Sequence, residues 1–123
     1  AEGHGRRYGT LREPVVERLR SGGDVLLVID VQGAEAFREV ARGDPSIADA
    51  LSTIFLQPAN IDQLRQRIHG RGTESEAEIE TRLETARHEI AEAPKYDYVV
   101  TTGTREEDFT ALLGIYQKIK RSR

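Results

Sequence analysis

Residues 25–31 read VLLVIDV, an almost unbroken apolar run rich in β-branched side chains and interrupted by one acid, Asp30. A run of this length between Gly22-Gly23 and Gly33 predicts a strand buried on both faces, hence one inside a parallel sheet. Before it, Val15, Val16 and Leu19 recur at helical spacing. Thr10 with Glu13 reads as a capping box for that helix, Pro14 suits its first turn, and Gly22-Gly23 stops it. After it, a short helix is expected over residues 34–41, ended by RGDPS. A second short strand is expected over residues 53–56, closed by Pro58.

The second half is mostly helical in pattern. Asn60 can cap a helix with Ile61, Leu64 and Ile68 on one face, ending at Gly70. RGTESE is a polar loop. Ser75 with Glu78 is a capping box for a helix carrying Ile79, Leu83, Ala86 and Ile90. Residues 96–101 read as a third strand. Thr104 with Glu107 caps a last helix whose apolar face is Phe109, Leu112, Leu113, Tyr116 and Ile119. Strands separated by helices imply a parallel α/β sheet with right-handed crossovers, and ligands bind beyond the carboxyl ends of such strands. That edge holds Asp30 and Gln32.

Composition narrows the picture. The 123 residues suit one small domain or a fragment of one. With no cysteine, disulfides and thiolate metal sites are excluded, and a reducing cytoplasmic location is expected. No run of roughly 18 apolar residues exists, so no membrane partner is predicted. A net charge of −3 argues against a general nucleic-acid surface. His4, His69 and His88 lack metal-ligand spacing to one another, and no residues are assigned as metal ligands. The acidic run over residues 74–80 reads as a solvated first turn.

Three constellations carry candidate chemistry. Asp30-Val31-Gln32-Gly33 places a carboxylate where it can meet hydrated Mg²⁺ or a base, with Gly33 letting backbone approach a ligand; equally, Asp30 can cap the next helix. Arg65, Arg67, Arg71 and Arg82 lie on two successive helices and their joining loop. Their guanidiniums can converge on a phosphate, or remain solvated charge with Arg82 paired to Glu78 or Glu84. GRRYGT offers Arg6, Arg7, Tyr8 and Thr10 before a helix N-terminus, as a phosphate cradle or as a turn with an ordinary cap.

Taken in order, YGT, VIDVQG, RIHGRGTESEAEIETRL and YDYVV resemble the guanylate kinase family over nearly the whole chain. GRGTE followed by a helix with TRL resembles its mobile lid. The resemblance implies a P-loop-kinase-like three-layer α/β fold, truncated to about three parallel strands flanked by helices, plus the helical lid. Residues 1–23 would end the GMP-binding region, 24–60 and 94–123 would form the core, and 61–93 the lid and its flanking helices. The implied activity is ATP + GMP to ADP + GDP, with Mg²⁺ arriving on ATP and not bound by this chain alone. Tyr8, Gly9, Thr10, Asp30, Gln32 and Gly33 would serve GMP. Arg67, Arg71 and Arg82 would serve the transferring phosphate.

The sequence also departs from the family. It has no G-x-x-x-x-G-K-[ST] loop, Val28 stands where an acid is usual, and Thr102-Gly103 stands where Asn-Asp is usual. These departures keep a second reading open, a non-catalytic module that binds phosphorylated peptides. They also lead to an expectation of negligible kinase activity for these 123 residues in isolation, which are expected to be either a free fragment or part of a longer protein. Without the loop-bearing strand, two apolar strands would lack a shared neighbour, leaving room for a homodimer through exposed sheet edges.

Overall fold

The computed structural model describes residues 12–69 and 75–122. These fall into two compact units that divide between Ser52 and Thr53.

The first unit is helical. Helix α1 spans Arg12–Arg20, α2 spans Val31–Arg42 and α3 spans Pro45–Ala48. Helix α1 ends in a Schellman motif: Gly23 N donates to Arg18 O at 3.0 Å and Gly22 N to Leu19 O at 3.1 Å. Gly22 makes this turn with φ of 85°, a conformation that side chains with a Cβ rarely adopt. The RGDPS break is itself a one-turn helix, because Asp44 accepts from Ser46 N at 3.0 Å and Pro45 fixes the first position. Val15 and Val16 of α1, Phe37 and Ala41 of α2, and Ile47 of α3 form the core, joined by Leu19, Leu27, Ile29 and Leu51.

The strand expected over residues 25–31 is not formed. Among the described residues this segment has no strand partner, and the chain turns helical at Val31 rather than at residue 34. Burial nonetheless alternates. Leu27 and Ile29 pack on the core, whereas Leu26 and Val28 stand 85% and 89% exposed. The segment therefore keeps a period-two register with one face covered, and lacks the ladder that would make it a strand.

The second unit is the α/β part. Strand β1 spans Ile54–Gln57 and β2 spans Tyr98–Thr101, while α4 (Ile61–His69), α5 (Glu76–Ile90), a 3₁₀ turn (Ala93–Lys95) and α6 (Arg105–Arg121) complete it. The strands pair in parallel, Ile54 opposite Tyr98 through Gln57 opposite Thr101. A polar lock at their amino ends fixes this register. Thr53 N donates to Asp97 Oδ2 at 2.8 Å, and Asp97 N donates to Thr53 Oγ1 at 2.9 Å. Phe55 packs on Tyr96 with ring centroids 5.1 Å apart. The parallel α/β class inferred from sequence is thus present with two described strands rather than three.

Helices α4 and α5 form a hairpin around Ile68, Ile79 and Leu83, with Ile61 and Leu64 against them. Of the four expected caps, that of Thr10 lies outside the described residues and the other three are in place. Asn60 accepts from Gln63 N at 2.6 Å, and the Ser75/Glu78 and Thr104/Glu107 boxes are both closed. The apolar face expected of the last helix is only partly covered: α6 buries no residue fully and Phe109 is 66% exposed.

Candidate functional site

The candidate residues lie in both units. In the first unit Asp30 is the N-cap of α2. Its Oδ1 accepts from Gly33 N at 2.7 Å. Gly33 is buried in the first helical turn and Gln32 is exposed beside it. The capping role weighed for Asp30 is therefore realised, with one carboxylate oxygen committed to the helix. Tyr8, Gly9 and Thr10 lie outside the described residues.

In the second unit the α4–α5 hairpin carries the arginines. Arg67 sits in the last turn of α4 and Arg82 on the second turn of α5, both exposed, each next in sequence to a core residue. Arg71 lies outside the described residues. Arg65, one of the four candidate phosphate ligands, has a different task here. Its Nη2 donates to Glu80 Oε1 at 2.6 Å across the hairpin. That hydrogen bond, then the charge of Glu80, raises the guanidinium pKa from an already high value. The bond bridges the two arms of the hairpin on their exposed side. Arg82, Ala77, Glu78 and Thr81 line a shallow surface depression on α5. Glu84, one suggested partner of Arg82, pairs with Arg87 at 3.0 Å.

The carboxyl edge of the β1–β2 pair holds a cluster that sequence reasoning missed. Thr102 N donates to Gln57 O at 2.8 Å, extending the pairing past the strand ends. Thr102 Oγ1 donates to Asp108 Oδ2 at 2.6 Å and Gly103 N to Asp108 Oδ1 at 2.9 Å. These hydrogen bonds, the Thr102 one first, hold the Asp108 carboxyl below its ordinary pKa, and the charge of Arg67 adds to them. The capping box at Thr104 is visible in sequence, but nothing there distinguishes Asp108 from Glu106 as the acid that reaches back to the strand.

Among the described residues no three His, Cys, Asp or Glu side chains are grouped to hold a metal ion. No helix among the described residues is long and apolar enough to cross a membrane.

A family model described as guanylate kinase matches residues 1–118. Relatives of the chain include proteins named guanylate kinase. That of Rhizobium etli is 38% identical over 125 residues, covering 100% of this chain and 54% of its own length. That of Thermobifida fusca is 42% identical over 115 residues, covering 94% and 55%. That of Streptomyces coelicolor is 42% identical over 115 residues, with the same coverage. The chain spans about half the length of the curated relatives it matches.

Proposed function

The chain belongs to the guanylate kinase family, and from that membership we propose that the protein transfers the γ-phosphoryl group of ATP to GMP, with Mg²⁺ entering on the nucleotide. The observation that carries this reading is the braced α4–α5 hairpin. It presents Arg67 and Arg82 from two helices packed on a shared apolar core and bridged by the Arg65–Glu80 bond. Phosphoryl transfer needs little covalent chemistry from the protein. It needs positioned cations to offset charge on the transferring group, and arginine forks suit its oxygens. Arg67, Arg71 and Arg82 take that role, while Tyr8, Gly9, Thr10, Asp30, Gln32 and Gly33 serve the acceptor nucleotide. Closure of the hairpin region over the nucleotides would exclude water and favour transfer over hydrolysis.

A coupled assay of ADP formation, with and without GMP, tests this in the protein at its natural length. GMP-dependent turnover that collapses in Arg67→Ala and Arg82→Ala is expected. ADP formation that ignores GMP would overturn the reading. For residues 1–123 alone, negligible turnover is expected.

A second reading, a non-catalytic module that binds phosphorylated peptides, draws on one observation. The Thr102 hydroxyl and the Gly103 N–H, which stand in the place of the family's usual Asn-Asp, are both committed to Asp108. Calorimetry separates the readings: GMP binding without peptide binding favours the kinase, and the reverse favours the module.

A further inference from the structure

The apolar residues of α6 divide into two stripes. Leu112, Ile115 and Ile119 are half-buried, so this side of the helix rests on its own unit. Phe109, Leu113 and Tyr116 form the second stripe and stand 66%, 41% and 46% exposed. The exposed Glu106 and Lys120 extend that stripe at either end. From Glu106 through Phe109, Leu113 and Tyr116 to Lys120 the steps are 3, 4, 3 and 4 residues, the seam spacing of paired helices. Charge is uneven along the same helix. The first turn carries Glu106, Glu107 and Asp108 with one cation, Arg105, and the last turn carries Lys118, Lys120 and Arg121. A second such helix lying parallel would set acidic end on acidic end and basic on basic. Lying antiparallel, it sets each acidic end on a basic one and opposes the two helix dipoles.

We propose that the exposed Phe109, Leu113 and Tyr116 stripe of α6 docks on the same stripe of a second copy of this chain, the two helices lying antiparallel about a two-fold axis near Leu113. Phe109 then meets the partner's Tyr116, and Glu106 lies near the partner's Lys120 at each end of the contact. A contact between identical patches closes on itself, so it produces a dimer and no larger species. The stripe runs only about 21 Å, at 1.5 Å of rise per residue. The interface is therefore at the small end of specific contacts, and the dimer is a weak one.

The test is sedimentation velocity over a concentration series reaching the high micromolar range, on the 123-residue chain and on the protein at its natural length. A monomer–dimer equilibrium is expected in both, and L113E should abolish it. E106K and K120E should each weaken the dimer about three- to tenfold, because either change sets like charges together at both ends. The double variant E106K/K120E should restore it. That variant carries both charges in the orientation the α6 dipole disfavours, so its recovery separates pairing across the dimer from helix stability. Orientation is read by crosslinking. The chain has no cysteine, and a disulfide is expected on mixing E106C with K120C but not in either alone. A monomer in both forms, a dimer that survives L113E, or a double variant no tighter than the single ones overturns the proposal. A dimer of the 123 residues that is monomeric at natural length also overturns it, since the rest of the polypeptide then covers the stripe. Disulfide formation in E106C alone, without reaction of the mixture, overturns the antiparallel arrangement.

Discussion

Leu83→Ala is the most direct test of the braced hairpin. Leu83 is fully buried, and it closes a small core made with Ile68 and Ile79 from both arms. The change removes three side-chain carbons from that core, about 2.4 kcal/mol of lost transfer free energy at ~0.8 kcal/mol each. A residual cavity adds to this, and Leu→Ala substitutions in cores cost about 2–5 kcal/mol. A two-helix core can collapse partway because it has few walls, so the expected cost is about 2.5–3.5 kcal/mol. The protein has no tryptophan, and three of its four tyrosines, Tyr96, Tyr98 and Tyr116, lie in the second unit. Tyrosine fluorescence in a urea titration therefore reports mainly on that unit. The midpoint should fall with little change in slope, and amides of α5 should lose exchange protection first. Leu83→Met, which keeps the volume, should cost under about 1.5 kcal/mol. A loss below about 1 kcal/mol for Leu83→Ala would show that the hairpin is not held by this core.

Asp30→Ala should destabilise by about 1 kcal/mol through loss of the α2 cap, and Asp30→Ser should restore most of it; amide exchange in the first turn of α2 reads this locally. Gly114 lies inside α6 with open space where a Cβ would stand, so Gly114→Ala should stabilise by about 1 kcal/mol in a thermal melt. A loss instead would mean that another chain or segment approaches the helix there. Leu26→Lys with Val28→Lys should change stability by no more than about 0.5 kcal/mol, since both side chains are exposed. The same pair should reduce any self-association seen by sedimentation velocity, because charge on an unpaired extended segment blocks strand addition.

Local chemistry was the most legible part of the fold. Ser75 with Glu78, Thr104 with Glu107, the Asn60 cap and the Gly22-Gly23 stop all involve partners within a few residues, and each is found where the sequence placed it. What a helix or strand packs against was less legible. Residues 25–31 have the composition of an interior strand, but a strand exists only through a neighbour's hydrogen bonds. With none among the described residues, the Asp30 cap wins and the helix claims Val31. The same holds for α6, whose apolar periodicity is real although Phe109 remains largely exposed. Periodicity states which face would be buried, not what covers it.

The arginines show where reading a site from sequence stops. Arg65, Arg67, Arg71 and Arg82 are chemically alike, and spacing alone offers no way to rank them. The structure sets one of them apart by its acid. Glu80, fifteen residues from Arg65, turns that arginine into a bridge between α4 and α5. This acid lies too far along the chain for any helical rule to pair it. The consequence is physical as well as descriptive. Exposed ion pairs contribute little and are screened by salt, so Glu80 does not clamp the hairpin rigidly. A ligand carrying several negative phosphate oxygens offers a guanidinium more than a single carboxylate can. A weak partner of this kind therefore costs little to exchange for such a ligand.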